Sequence, residues 1–302
     1  MGNPDKSHKM LLAYDDEFAE VFSVLALNNQ VKLNPKRLLE AATEYEHIEH
    51  HQPKELQRDV VKLYDGFALG LIVCGFENQM SVDVGMPIRV MGYDWTRYRH
   101  QLEKVKPLNQ NTRIAPVFTH VLNFSYKHKW QWPLSLRDLV HLPPELANFF
   151  QNYKINVTKL AWLKPKQRAL FSGNFRILVE ALYEMRTKGR ITGIQQPVKH
   201  LDAMLAILAA TTNKQSFTLI DRTDFQEGKT TMCEIMDRWE NELLATGFAN
   251  GEKAGFANGE KASTVRIFKD FGKSQNETVT YLTQSLHLTA QEARETVEKY
   301  WK

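Results

Sequence analysis

The chain is poor in cysteine: Cys74 and Cys233 are the only two among 302 residues, and they form no C-x-x-C pair. A disulfide scaffold and a cysteine-built zinc site are thereby excluded, and a reducing, cytoplasmic setting is expected. Ten histidines are scattered without zinc-ligand spacing; "HIEHH" at 47–51 reads as a helix end rather than a metal site. No apolar run approaches the roughly 20 residues needed to cross a bilayer, and "MGNPDKSHKMLL" holds no signal-type apolar stretch. A membrane role has no support. Charge of one sign is also lacking, since 39 Lys and Arg against 35 Asp and Glu leave a net charge of only +4.

What charge there is, however, is unevenly placed. From Thr96 to Gln131 seven cations (Arg97, Arg99, Lys104, Lys106, Arg113, Lys127, Lys129) face Glu103 alone, and from Tyr153 to Arg190 nine cations face two glutamates. Such stretches can neutralise phosphates, or they can be solvated faces.

Hydrophobic periodicity outlines the fold. Phe18, Val21, Phe22 and Leu25 make one apolar stripe on a helix over Asp15–Leu27, with Asp15 placed to cap it. "NPKRLLEAATEYEHIEHHQP" suggests a second helix after Pro35 that closes before Pro53. "DVVKLY" reads as a strand and "DG" at 65–66 as a turn. "FALGLIVCGF" is apolar on both faces, as a central strand is. "GYDWTRYRHQLEKV" is helical in pattern, and "APVFTHVLNFSY" is a third strand. This order gives an α/β fold, a mixed central sheet flanked by helices, followed by a mostly helical C-terminal region.

Beyond Leu163 the pattern is helical. "GFANGEKA" then occurs twice, at 247–254 and 255–262, and sets Gly247, Gly251, Gly255 and Gly259 four residues apart. They form either a smooth helix stripe or a flexible linker. Ser274 with Glu277, and Thr289 with Glu292, match the capping-box pattern of two short terminal helices, joined as a helix-turn-helix or as a packing module.

The central strand ends in Glu77 and Gln79, two apart and therefore on one face. A carboxylate in that position needs a cationic or hydrogen-bonding partner. Mg²⁺ takes such oxygen ligands, and Asp59 at the start of the preceding strand offers a second carboxylate. Two registers are open. A tight hairpin at Asp65–Gly66 would pair Asp59 with Ile72 and leave Glu77 about 17 Å further on. A loop spanning "DGFALG" would bring Asp59 opposite Glu77. Lys62 falls on the face opposite Asp59.

"RDVV" at 58–61, "GFENQMSVDVGMPIRVMGYDWTRYRHQL" at 75–102, "PVFTHVLNFSYKHKWQWPLSL" at 116–136 and "LPPELANFFQNYKIN" at 142–156 together resemble the recombination-promoting nuclease and transposase-like family. That family belongs to the PD-(D/E)XK nuclease superfamily. The resemblance covers about residues 10–240, with a looser likeness in the tail. It implies a restriction-endonuclease-like sheet at 1–162, a helical extension at 163–246, the glycine repeat at 247–262 and a helical module at 263–302. It also implies a bacterial DNA endonuclease that promotes recombination or transposition and uses Mg²⁺, Mn²⁺ or Ca²⁺. Asp59 and Glu77 stand at the metal-binding acids, Gln79 stands where the motif's lysine usually does, and Asp15 matches an Asp-x-x-Phe on the first helix that would hold a metal-bound water.

Glutamine at 79 orients a water but supplies no charge, which keeps open a catalytically weak DNA-binding or regulatory protein. Arg89, Arg97, Tyr98, Arg99, Gln101, Lys127 and Lys129 are the expected DNA-facing residues, although Arg89 could instead pair with a core carboxylate. Asp83 reads as a turn residue and Trp130 and Trp132 as structural. Cutting both strands with one site per chain would favour a homodimer, with the glycine stripe as its interface.

Overall fold

In the computed structural model the strand β5 (Gly70–Gln79) is the middle of a five-stranded mixed sheet, as its apolar run requires. On one side it pairs antiparallel with β4 (Val60–Phe67), which pairs antiparallel with the short edge strand β1 (Leu38–Glu40). On the other side it pairs parallel with β6 (Val117–Asn123), and β6 with β7 (Asn156–Lys159). The structure describes residues 11–301 except 42–43, 50–51, 58, 68–69, 106, 193, 214–216, 218–219, 221 and 271–272. It divides into two units, Met1–Met236 and Asp237–Lys302. The expected sheet domain at 1–162 lies within the first unit, the expected helical extension at 163–246 runs across the division, and the repeat and the terminal module lie in the second.

The parallel step from β5 to β6 needs a crossover, which α2 (Met86–Lys104) supplies. It begins earlier than its apolar pattern suggests, because Pro87 suits the first helical turn. Val61, Val73 and Val117 pack with Tyr98 of α2, and Val121 with Met86 and Val90. One face of the sheet is therefore covered by α2. The other is covered by α1 (Asp15–Val21), continued by a π-helical stretch Phe22–Ala26. Phe18 and Phe22 set their rings 5.1 and 5.5 Å from that of Phe76. Of the expected stripe Phe18, Val21 and Phe22 are fully buried, while Leu25, in the π-helical stretch, is half-buried.

The helix expected after Pro35 is not formed. A single 3₁₀ turn, Pro35–Arg37, leads into β1, and an antiparallel pair follows, β2 (Glu44–Glu49) and β3 (Gln52–Gln57). The described part of "HIEHH", His47–Glu49, thus ends β2 rather than a helix, and residues 50–51 lie outside the described residues. Helix formers are plentiful in this segment, but cross-strand pairing outweighs local propensity. The Asp65–Gly66 turn is likewise displaced: both residues lie within β4, where the register shifts between Tyr64 and Phe67.

α3 (Asn174–Lys188) and α4 (Leu201–Thr212) belong to the first unit. The N-terminus of α3 is capped from α1. The Glu17 carboxylate accepts from the Asn174 and Phe175 amides at 2.7 and 2.9 Å, and that of Glu20 from Ser172 and Gly173. Carboxylates favour this end of a helix dipole. Burial nevertheless raises the Glu17 pKa, because those two hydrogen bonds only partly offset the loss of water. The glycine repeat lies in a continuous helix, α5 (Met232–Asp270), so the linker alternative does not hold. In the second unit both capping boxes are formed, at α6 (Gln275–Ser285) and α7 (Ala290–Tyr300). The Ser274 amide and hydroxyl hold the Glu277 carboxyl down at about 2. Leu282, Ala293, Val297 and Val265 form a small core there. Gly272, expected to stop the preceding helix, lies outside the described residues.

His120 of β6 faces the α1 side, 6% exposed, with Nε2 2.7 Å from Thr158 Oγ1. Burial pushes its pKa from 6.5 down to about 4. The unfolded chain takes up a proton near pH 6.5 that the folded chain refuses, so the stability is full above that pH and lost as pH falls toward 4. Wild type should lose roughly 1.4 kcal/mol per pH unit across this window through His120 alone. Urea denaturation of His120→Gln between pH 7 and pH 4.5 should show that part of the slope removed; equal slopes would reject the assignment.

Candidate metal and phosphodiester site

The register that decides the site is that of β4 on β5. Val60 pairs with Phe76 and Val61 with Gly75. One further step opposes Asp59 to Glu77, and the Asp59 Oδ2 atom accepts from the Asn78 amide at 2.7 Å. Of the two registers left open, the one that opposes Asp59 to Glu77 is formed, but through β4 continuing to Phe67, which pairs with Gly70 after a register shift, rather than through a loop over the whole of "DGFALG". Strand parity then puts Asp59, Glu77 and Gln79 on the face covered by α2.

Glu77 is 1% exposed. Its Oε1 accepts from Gln79 Nε2 at 3.2 Å and from the Arg89 guanidinium, with the Tyr93 hydroxyl at 3.5 Å. Arg89 and Tyr93 are four apart on α2, hence on one face of its first turns. The second arm of Arg89 donates to Asp83 Oδ2. Asp83 Oδ1 accepts from the Gly85 amide at 2.8 Å, the turn role expected of it. Burial works against the Arg89 cation, but Glu77, Asp83 and Tyr93 outweigh it and raise its pKa. Burial and the Glu77 charge, with a smaller part from Asp59, raise the Tyr93 pKa, so the phenol stays protonated.

Asp15 does not join this group. It lies on the α1 side, paired with Lys62, which is 1% exposed and also donates to Glu40 and to the Ala13 carbonyl. It does not cap α1 either, whose N-cap is Tyr14. An unpaired lysine at that burial is costly, and Asp15 at the first helical position is within its reach. Lys62 keeps to the face opposite Glu77, as parity requires.

The expected DNA-facing residues divide. Arg97 is only 8% exposed, so it is not offered to a duplex. The Tyr98 hydroxyl accepts from the Val117 amide, and Gln101 bonds both the amide and the carbonyl of Ala115. Both residues fix the entry to β6. Arg99 is exposed but engaged with Glu103 and the Trp95 ring. Lys127 and Lys129 are exposed on the loop leaving β6, at the end of the sheet where β5 finishes. In the same loop Trp130 is fully buried, while Trp132 is half exposed.

Two residues on the Glu77 face were not singled out from sequence. Tyr93 carries a detectable signal, its i,i+4 spacing from Arg89. Asn123 carries only its polarity in an apolar strand; β6 pairs it with Gln79, and it is fully buried.

Oxygen chemistry suits a hard divalent cation at this site: two carboxylates on opposed strands and the Gln79 carboxamide. Among the described residues Asp16, Glu17 and His200 also bring ligand atoms within 4.8 Å of one another. Those atoms are engaged otherwise, Asp16 with Lys199 and His200 and Glu17 with the α3 amides. Comparison with known proteins found no matching family model, curated relative or solved structure.

Removing Arg89 leaves the Glu77 charge buried beside a phenol and an amide. Arg89→Met should cost roughly 3–5 kcal/mol by urea denaturation. The double variant Glu77→Leu, Arg89→Met should regain most of that loss. Additive losses in the double variant would mean that the two do not act as a pair.

Proposed function

We propose that Asp59, Glu77 and Gln79 form the cutting centre of a metal-dependent DNA endonuclease of the PD-(D/E)XK type that the sequence resembles. What carries the reading is the β4–β5 register, because eighteen positions of chain separate two acids that this pairing turns into neighbours. Asp59 and Glu77 would hold Mg²⁺ or Mn²⁺. When bound, the ion supplies Lewis-acid polarisation of the phosphodiester and a more acidic water. Gln79 orients that water through its carboxamide. Arg89 balances the Glu77 charge and would turn to the phosphate when a cation takes its place, with Asp83 holding it at the rim. Tyr93 stays protonated and donates to Glu77. Lys127 and Lys129 carry phosphate contacts along the bound strand.

A second reading is favoured by the Arg89–Glu77 pair and by Gln79. A guanidinium already meets the carboxylate, and glutamine brings no charge to the scissile phosphate. A chain of this kind would bind DNA and cut it weakly, acting as a regulator through its C-terminal region.

Nicking of supercoiled plasmid in Mg²⁺, Mn²⁺ and Ca²⁺ separates the two. The nuclease reading expects cleavage in Mg²⁺ or Mn²⁺, with Glu77→Ala and Asp59→Asn each losing more than about 100-fold, above the 10–100-fold typical of outer-shell partners. Wild type and Glu77→Ala behaving alike in every metal would reject it, and DNA binding without cutting would establish the second reading. For the phosphate contacts, Lys127→Ala and Lys129→Ala should each flatten the dependence of log affinity on log salt by about 1. An unchanged slope would remove these lysines from the interface.

A further inference from the structure

Asn123 is left over by the account given so far. It ends β6 fully buried, and among the described residues neither its Oδ1 nor its Nδ2 has a hydrogen-bond partner. A carboxamide taken out of water with its bonds unmade is costly, and buried polar groups in folded chains are overwhelmingly partnered. The rest of its face of the strand is satisfied: Val117 and Val121 are apolar, with Val121 packed against Met86 and Val90 of α2, and the polar Thr119 donates to Asp94. Asn123 is the polar residue of this face whose bonds are unmet, and an apolar residue there would carry no such desolvation cost. The register states what the polar residue stands beside. Asn123 pairs with Gln79, and Val121 with Glu77, so Asn123 is the direct neighbour of Gln79 and the diagonal neighbour of Glu77. Its unmade bonds therefore belong at the end of the sheet where Asp59, Glu77 and Gln79 collect their oxygens.

We infer that Asn123 is a further binding residue of the same site. Its Oδ1 accepts from water of a hydrated divalent cation, and its Nδ2 donates to an oxygen of the phosphodiester. A neutral amide suits this place. It extends the set of hard oxygen donors without adding a third negative charge to two carboxylates. The inference rests on the reading of Asp59 and Glu77 as a cation site, and it concerns affinity and orientation rather than proton transfer.

Mn²⁺ titration calorimetry and thermal melting of the full chain test it, with Asn123→Leu, Asn123→Asp and Glu77→Gln beside wild type. Asn123→Leu should melt at or above the wild-type temperature without metal, because the unmet amide is gone. It should bind Mn²⁺ 10–100-fold more weakly and lose the rise in melting temperature that Mn²⁺ gives wild type. An amide that served only the core would behave the opposite way, with a lower melting temperature and unchanged Mn²⁺ affinity, and that result overturns the inference. Should the leucine variant fail to fold, Asn123→Asp decides: a third carboxylate should tighten Mn²⁺ several-fold, and unchanged affinity rejects the assignment. Wild type that binds no Mn²⁺ would bring down the cation site and Asn123 together. Binding lost in Glu77→Gln but intact in both Asn123 variants would remove Asn123 alone.

Discussion

A carboxylate almost sealed from water at the end of a central strand is the constraint around which this end of the sheet is arranged. Glu77 cannot stay ionised there without a cation and hydrogen-bond donors, and Arg89, Gln79 and Tyr93 provide them. Those partners fix the first turns of α2 over the C-terminal end of β5. Asp83 then ties the connecting turn to the same guanidinium. A buried ion pair is rarely the most stable choice, since well-packed apolar residues of similar size often serve stability as well or better. A sequence selected for stability alone had valine available at 77, as at 73 and 121. The proposed cation site gives the acid, the amide two residues on and the amide across the ladder a role that stability alone does not.

The sheet keeps two buried charges on opposite faces, and strand parity is what separates them. Lys62 and Glu77 sit on adjacent strands and point to opposite faces. They are satisfied separately, Lys62 by Asp15 and Glu40 on the α1 side and Glu77 by Arg89 on the α2 side. Lys62 is thus committed to the α1 side and brings no charge to Asp59, Glu77 and Gln79. The α1 side works as a structural joint as well: Glu17 and Glu20 cap α3 across more than 150 residues of chain, and Asp16 holds Lys199 and His200 ahead of α4. Acidic residues crowd this helix because it has amides and cations to satisfy, which accounts for its cluster of potential ligands without a metal.

Single-sequence reasoning reached the central strand, the α1 stripe, the parallel third strand and both capping boxes because each is written in neighbouring residues: apolar runs, a 3.6-residue period, and a Ser or Thr three residues before a Glu. It failed over residues 38–57, where helix formers and strand formers are mixed and the outcome depends on a partner strand. It also mistook Asp65–Gly66 for the turn, since a turn dipeptide and a bulge use the same residue types. Among the site residues, the shared face of Glu77 and Gln79 followed from a period of two. The burial of Arg97 and the anchoring of Tyr98 and Gln101 to the start of β6 did not, because a cation or amide on a helix looks the same in sequence whether it meets solvent or a neighbouring strand.

By itself the sequence determined that an apolar strand ends in an acid and an amide on one face, and that Lys62 could not stand with them. Only the tertiary structure decided that Asp59 lies opposite Glu77, that Asp15 does not join them, and that Asn123 and Tyr93 do. The reason is physical: the direction of a side chain along one strand follows from its local period, whereas which strands meet, and in which register, is set by packing and hydrogen bonding between segments far apart in the chain.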